Sequence, residues 1–171
     1  MAGSSKFHAI FFSRRRRKQL PRRPLFISGH HISWVNIAKY LGVLLDKILT
    51  LRQHHEATLR KCQTTLRIFY SLLSRRSKLH AGNKLTFYKT VIRPIFSYAC
   101  QVTSNTAVTN LRALQTFQNK ILRMILDIRW DPETRRFPMT AAQMHEMLDI
   151  DTVVDHFTKL RLKFMQRFIH D

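Results

Sequence analysis

The sequence predicts an α+β fold in which a small cluster of antiparallel strands is followed by a helical bundle. Short runs of β-branched and aromatic residues fill the front of the chain, and after Asp46 the apolar period lengthens from two to about three and a half. With 171 residues and 44% hydrophobic content, the chain can bury a sizeable core. We expect three parts: 1–50 with the strands, 51–128 with the main helices, and 129–171 as a C-terminal helical extension.

The predicted strands begin with FHAIFF, Phe7 to Phe12, and an arginine-rich loop follows them. In LFISGHHISW, apolar and aromatic residues flank Ser28-Gly29-His30, which is the pattern of a hairpin with a small turn. The run AKYLGVLLD, Ala38 to Asp46, predicts a buried strand. A glycine inside a strand predicts a β-bulge or a close approach of the backbone to a partner, and Gly42 leaves both open.

Three amphipathic helices are predicted next. The first runs from about Gln53 to Arg75, the second has a kink or a missing hydrogen bond at Pro94, and the third covers about Leu111 to Ile128. The apolar stripes of these helices have spacings of three or four residues, and they are Leu59, Cys62, Leu66, Phe69 and Leu73; Leu85, Tyr88, Ile92, Ile95, Ala99 and Val102; and Leu111, Leu114, Phe117, Ile121, Ile125 and Ile128.

Two further helices are predicted near the end of the chain. The breaker Asp131-Pro132 precedes a short helix near Thr140 to Leu148, and a last helix runs from about Asp151 to Ile169. Either Asp151 or Thr152 can cap the last helix. Its predicted buried positions are Val153, Phe157, Leu160, Phe164 and Phe168.

The charge of the chain is high and uneven. The 30 Lys and Arg residues against 10 Asp and Glu residues give a net charge of +20, which is most simply explained by a polyanionic partner. Residues 1–126 hold 23 of the bases but only two acids, whereas residues 127–171 hold 7 bases and 8 acids. We therefore expect the polyanion to contact the first three quarters of the chain.

Basic side chains in the loop and on the acid-free helix faces are the candidate phosphate contacts. The loop run RRRRK has three possible meanings, namely phosphate contact, a nuclear localisation patch or a solvated loop. The shared sign of the surrounding region favours phosphate contact. The candidates are Arg14, Arg15, Arg16, Arg17, Lys18, Arg60, Arg67, Arg112, Lys120 and Arg123.

Catalytic and metal sites are poorly supported. Two-metal phosphoryl transfer needs several clustered carboxylates, and the basic region offers only Asp46 and Glu56, for which a structural or capping role is more usual. The pairs His30-His31 and His54-His55 lack the spacing that places two zinc ligands on one helix face, so surface histidines are the better interpretation. An esterase or protease also finds no support.

Cysteine usage and hydropathy predict an intracellular protein of the nucleus or cytoplasm. Cys62 and Cys100 lie on apolar stripes, which favours core packing in a reducing compartment. No apolar run reaches the ~18–20 residues that span a bilayer. We expect no membrane partner, because the aromatic residues lie on the predicted core stripes.

Four segments together resemble the closing part of a reverse transcriptase from a non-LTR retrotransposon, most like the jockey-type elements. In order they are KFHAIFFSRRRR, LFISGHHISWVNIAKYLGVLLDKILTLRQH, RRSKLHAGNKLTFYKTVIRPIFSYAC and LQTFQNKILRMIL. The resemblance covers nearly the whole chain, from Lys6 to about Phe157. Two segments depart from the family pattern: Lys6-Phe7, where a lysine-threonine pair is usual, and Gln101 to Ser104, where Pro-Val-Trp-Gly is usual.

The resemblance implies that Lys6 to Phe12 ends the palm subdomain and that the helices form the thumb. It also implies that the hairpin leads into a primer grip at Tyr40, Leu41, Gly42 and Val43. The complete protein would be an RNA-directed DNA polymerase, a nucleotidyltransferase with Mg²⁺ as cofactor. Its catalytic aspartates lie upstream of the matching region, so no catalytic residue, metal ligand or cofactor is expected in this chain.

The predicted function is to hold a template-primer duplex of RNA and DNA by phosphate contacts and the primer grip, without catalysis by this chain. A missing upstream polymerase half is a further candidate partner. The alternative is a domesticated or decayed copy that acts only as a sequence-independent nucleic-acid-binding protein.

Overall fold

The computed structural model describes residues 7–13 and 23–169. The chain divides into two compact units, Met1–His54 and His55–Asp171. The first unit carries the strands and the second carries nearly all helical residues, so the predicted α+β class is confirmed. The division of the chain into three functional parts stays a prediction. Within the described part of the chain, no helix is both long and apolar enough to cross a membrane.

The strands of the first unit form two small sheets. They are β1 (His8–Ile10), β2 (Leu25–Ile27), β3 (His30–Val35), β4 (Ile37–Tyr40) and β5 (Val43–Asp46). The first sheet has the order β1-β3-β2, and the second pairs β4 with β5. Antiparallel β2 and β3 place Ile27 opposite His30 and are joined by a turn at Ser28-Gly29. The predicted hairpin is therefore confirmed.

Strand β1 departs from the antiparallel cluster that the sequence predicted. It pairs with β3 in parallel, with His8 opposite Ser33 and Ile10 opposite Val35. Parallel strands need a connection of about a dozen residues or more. Residues 11–29 supply that length between β1 and β3, and β2 lies within it. Alternation of side chains does not indicate the direction of pairing, so the parallel pairing could not be predicted from it.

The run Ala38 to Asp46 is a hairpin, and its prediction as one strand was wrong. Strands β4 and β5 are antiparallel, with Tyr40 opposite Val43, so Leu41 and Gly42 form a two-residue turn. Both turn residues have positive φ, 44° at Leu41 and 81° at Gly42. This is the type I′ geometry that favours glycine. The glycine is required by the turn, so the β-bulge, one of the two alternatives left open at Gly42, is not what places a glycine there.

The α-helices of the described segments follow the strands in the chain. They are α1 (Arg52–Ile68), α2 (Tyr70–Leu73), α3 (Ala81–Phe87), α4 (Arg93–Ser97), α5 (Cys100–Thr103), α6 (Val108–Ile125), α7 (Ala141–Met147) and α8 (Val153–Ile169). The first predicted helix is interrupted at Phe69, whose φ of −100° and ψ of 19° separate α1 from α2.

The helix is irregular next to Pro94, where the sequence predicted a kink or a missing hydrogen bond. A π-helical turn, Tyr88–Ile92, lies directly before α4, and proline supplies no N–H to continue the regular ladder. Ala99, with φ 55°, then separates α4 from α5. This second break rotates Val102 out of the predicted stripe, and its side chain is 65% exposed. The prediction that Val102 is a core residue was therefore wrong.

A single buried core joins the helices of the second unit. It contains residues from α1 and α6 and also Met144 of α7 and Phe157 of α8. Thr140 and Gln143 form a capping box at the start of α7. At the start of α8 the Thr152 hydroxyl accepts the Asp155 N–H at 3.2 Å, as one of the two predicted caps.

The second half of α8 is a correction to the predicted core. Phe164 is 45% exposed, and all residues from Arg161 to Arg167 are exposed. The apolar period continues along this helix, but the helix extends beyond the elements that bury its first half. The predicted burial of Phe168 lies outside the described side chains.

Candidate nucleic-acid interface

A groove between α1, α2 and α6 brings two of the predicted cations together. Its volume is about 790 Å³. Arg67 lies on the α1 wall and Lys120 on the α6 wall, and both side chains are exposed. The residues that line the groove are Leu59, Gln63, Leu66, Arg67, Tyr70, Ala113, Thr116, Phe117 and Lys120. None of these nine residues is acidic, so the electrostatic character of the groove is set by its cations.

The floor and the rim of this groove, which we call the α1–α6 groove, differ in chemistry. Leu66 and Phe117 are each only 6% exposed and form an apolar floor. Tyr70 is the first residue of α2, directly after the break at Phe69, and it is 57% exposed. Sequence reasoning missed Tyr70 as a candidate. No local signal could have found it, because its place in the groove depends on that break and on the packing of α2 beside α6.

The remaining predicted cations lie in different settings. Arg60 is exposed on α1, two turns before Arg67, and Arg112 is exposed on α6, two turns before Lys120. Arg123 is partly buried, with its guanidinium over the Phe137 ring at 4.2 Å from the ring centroid. Arg60 and Arg112 therefore extend the basic surface along α1 and α6 beyond Arg67 and Lys120, whereas Arg123 packs on the Phe137 ring. Arg14, Arg15, Arg16, Arg17 and Lys18 lie outside the described residues.

The predicted primer-grip residues form the tip of the β4–β5 hairpin. Tyr40 is 65% exposed and Leu41 is 74% exposed, whereas Val43 is buried. Gly42 completes the turn between them. The four adjacent residues therefore differ in setting. Val43 packs in the interior at the base of the turn, whereas the side chains of Tyr40 and Leu41 face solvent.

Of the two acids of the basic region, for which a structural or capping role was predicted, Asp46 has a structural role. Asp46 is buried and accepts hydrogen bonds from the Leu51 N–H at 2.8 Å and from the Thr50 N–H at 3.1 Å. Burial of the Asp46 carboxyl opposes ionisation, but these hydrogen bonds outweigh it and lower the pKa below its usual value. Glu56 is exposed on α1.

The donor set for a divalent metal is also missing from the described segments. Nowhere in residues 7–13 and 23–169 do three or more His, Cys, Asp or Glu side chains come together in a group that could hold a metal ion. A two-metal centre needs several anionic oxygens, so these residues do not fit the Mg²⁺ of a complete polymerase.

Two histidines of α1 were wrongly predicted as surface residues. His54 and His55 are 7% and 5% exposed. His55 Nε2 lies 3.0 Å from the Thr103 carbonyl oxygen, and burial lowers the pKa of its imidazole despite that hydrogen bond. A neutral, buried imidazole supplies no positive charge to a phosphate. The predicted surface location is correct for His30 and His31, which are exposed.

The two cysteines are core residues, as predicted. Cys62 and Cys100 are fully buried and carry free thiols. Burial raises the pKa of the Cys62 thiol to about 12 and also raises that of Cys100, so neither is a reactive thiolate at neutral pH.

Three curated relatives show what the chain is similar to. It is 32% identical over 164 residues to a probable RNA-directed DNA polymerase from transposon X-element of Drosophila melanogaster, covering 96% of this chain and 17% of the relative. It is 37% identical over 109 residues to the RNA-directed DNA polymerase from mobile element jockey of Drosophila funebris, covering 64% and 12%. It is 28% identical over 144 residues to the probable RNA-directed DNA polymerase from transposon BS of Drosophila melanogaster, covering 84% and 15%.

The chain thus spans 12–17% of the length of these relatives. No protein-family model matches it. No solved structure matches it either.

Proposed function

Since this chain belongs to the jockey-like RNA-directed DNA polymerases of non-LTR transposons, as a segment of that longer protein, we propose that it holds the template-primer duplex of such a polymerase. Phosphate contacts supply the affinity, and the β4–β5 hairpin tip positions the primer terminus. Polymerisation depends on carboxylates outside this chain. The observation that carries the proposal is the α1–α6 groove, with cations on both walls and no acid among its lining residues.

Electrostatics favours a backbone contact without sequence readout. Lys and Arg side chains that neutralise phosphates release counterions from the nucleic acid, which drives binding of any sequence. On α1, Arg67 lies seven residues after Arg60, and on α6, Lys120 lies eight residues after Arg112, so each helix carries two exposed cations about two turns apart. Two exposed basic rows of this kind suit a duplex, whose phosphates form two rows along each groove.

The hairpin tip supports the second part of the proposal. Tyr40 and Leu41 are exposed side chains at a two-residue turn, so both are accessible to a ligand. A turn of this type also places backbone close to a ligand, because Gly42 carries no side chain. The tip is therefore a suitable support for the last nucleotide of a primer.

Salt dependence tests the proposed function. Fluorescence anisotropy of a labelled RNA·DNA hybrid should give an affinity that falls steeply with salt, with log K against log salt sloping at about −0.9 for each phosphate contacted. Replacing Arg14 to Lys18 with alanines should flatten that slope. An affinity for the hybrid that does not change with salt would contradict the proposal, and incorporation of nucleotides by the purified chain with Mg²⁺ would contradict the absence of catalysis.

Leu41→Asn tests the grip separately from general binding. Asparagine tolerates positive φ better than leucine does, so the change should stabilise the β4–β5 hairpin by about 0.5–1 kcal/mol. The same change removes the most exposed apolar side chain of the tip. We expect slower amide hydrogen exchange in β4 and β5, together with a smaller preference for hybrids that carry a recessed primer end over blunt hybrids.

Leu41→Met is the matched control, because it keeps an apolar side chain and does not relieve the backbone. It should preserve the preference for recessed primer ends. If Leu41→Asn stabilises the hairpin and that preference persists, the tip is no primer grip, and the chain acts as a general nucleic-acid-binding protein.

A further inference from the structure

We propose that the α1–α6 groove also takes an unpaired nucleobase from a single strand, with the base on Tyr70 and the apolar floor and the flanking phosphates at Arg67 and Lys120. This inference rests on the proposed function only in that the partner is a nucleic acid. It adds a second kind of nucleic-acid ligand, a single strand, and assigns a role to an aromatic side chain that duplex binding does not use.

The interior of the groove has the size for one nucleotide, whereas a duplex contacts only the exposed cations along its rim. A volume of about 790 Å³ is within the range of roughly 300–1,000 Å³ typical of small-molecule pockets. A duplex presents phosphates and base edges to a protein surface and hides the faces of its bases by stacking. Only an unpaired base can present a flat, weakly polar face to a concave site of this size.

The apolar floor requires an uncharged group between the cations. Leu66 and Phe117 are buried beneath the groove and offer no hydrogen bond to an anion. A phosphate placed over them would lose its hydration without compensation. Phosphates therefore belong at the rim, near Arg67 and Lys120, and the group over the floor is apolar and flat.

Tyr70 is positioned to stack on that group. Its ring is 57% exposed while it lines the groove, so it is available to a ligand. On the opposite wall Ala113 and Thr116 have small side chains, which leaves space for a base. Gln63 on the α1 wall is exposed and has an amide that can bond to a base edge. Stacking of bases on aromatic rings is tolerant of sequence.

The alternative ligand for the same groove is an acidic amphipathic helix of another protein. The nucleobase is favoured because Gln63, Tyr70 and Thr116 supply polar groups and an aromatic face within the groove, where the apolar side of a helix would need hydrocarbon throughout. The experiment uses a single-stranded oligonucleotide and an acidic amphipathic peptide as separate probes, so it distinguishes a nucleic-acid ligand from a protein ligand.

Binding of a short single-stranded oligonucleotide that carries one fluorescent adenine analogue tests the proposal on the full chain. Stacking should quench the analogue in wild type, and Tyr70→Ala should weaken single-strand binding by about tenfold and abolish the quenching. Tyr70→Phe keeps the ring and should behave like wild type. Tyr98, also 57% exposed, lies outside the groove, so Tyr98→Ala is the matched control and should leave quenching unchanged.

Ala113→Leu is a second variant that fills the groove from the α6 wall without adding an aromatic ring, and it should reproduce the loss of quenching. Blunt-hybrid affinity, measured in parallel, should stay within about twofold of wild type in Tyr70→Ala. If the wild-type chain does not bind the hybrid, the proposed function is contradicted. If it binds the hybrid but does not quench the adenine analogue in the single strand, only the groove proposal is overturned. Tyr70-dependent binding of an acidic amphipathic peptide, without quenching of the single strand, would also overturn it.

Discussion

Replacing Phe157 with alanine should lower the free energy of unfolding of the second unit by about 3–5 kcal/mol. The Phe157 ring is 1% exposed and packs against Phe96, with the ring centroids 6.2 Å apart. Its removal leaves a cavity at the junction of α8 with the rest of the core, where close packing limits relaxation. Urea unfolding followed by helical circular dichroism measures the change.

Phe164→Ala is the matched control on the same helix. Phe164 is 45% exposed, so the same truncation should change the free energy of unfolding by less than about 1 kcal/mol. Equal losses in the two variants would show that α8 packs along its whole length and would contradict the exposed second half. A small loss in Phe157→Ala would show that α8 is not part of the core.

The helices were predictable because spacings of three and four residues determine which side chains share a face. Cys62, Leu66 and Ile121 were found in this way and are buried. The same pattern placed Val102 and Phe164 in the core wrongly. Periodicity reports the face of a helix, but it does not report where a helix loses its neighbours or where a residue such as Ala99 redirects the chain.

The positive charge of the candidate site could be predicted from the sequence, but the groove that holds it could not. Sequence reasoning identified Arg67 and Lys120 as basic residues beside apolar stripes, which the structure confirms as exposed positions on α1 and α6. That the two helices enclose one groove depends on tertiary packing between residues about fifty positions apart, which no local pattern records. Tyr70 was missed for the same reason.

The histidine pair and Gly42 show a second limit of local patterns. Adjacent histidines have the spacing of neither a metal site nor a buried stripe, yet the start of α1 buries His54 and His55 together. Gly42 was assigned to a strand because apolar residues continue on both sides of it. A turn within an apolar run is visible only in the positive φ of Leu41 and Gly42.

Net charge alone would attract a polyanion to any basic surface, so the location of the cations needs its own test. Changing Arg60, Arg67, Arg112 and Lys120 together to glutamine should weaken binding of an RNA·DNA hybrid on the order of 100-fold near physiological salt. The slope of log K against log salt should fall in magnitude by about 3–4, because about 0.9 is lost for each phosphate contact. Fluorescence anisotropy over a salt series measures both values.

A control with the same loss of charge separates position from net charge. Residues 127–171, where acids balance bases, hold seven Lys and Arg residues, and four exposed ones serve as this control: Arg135, Arg161, Lys163 and Arg167. Changing them to glutamine should reduce the magnitude of the slope by less than about 1, since they contact no phosphate in the proposed arrangement. If both quadruple variants reduce affinity and slope equally, the hybrid responds to the overall field of the chain. The α1–α6 groove would then have no special role in holding the duplex.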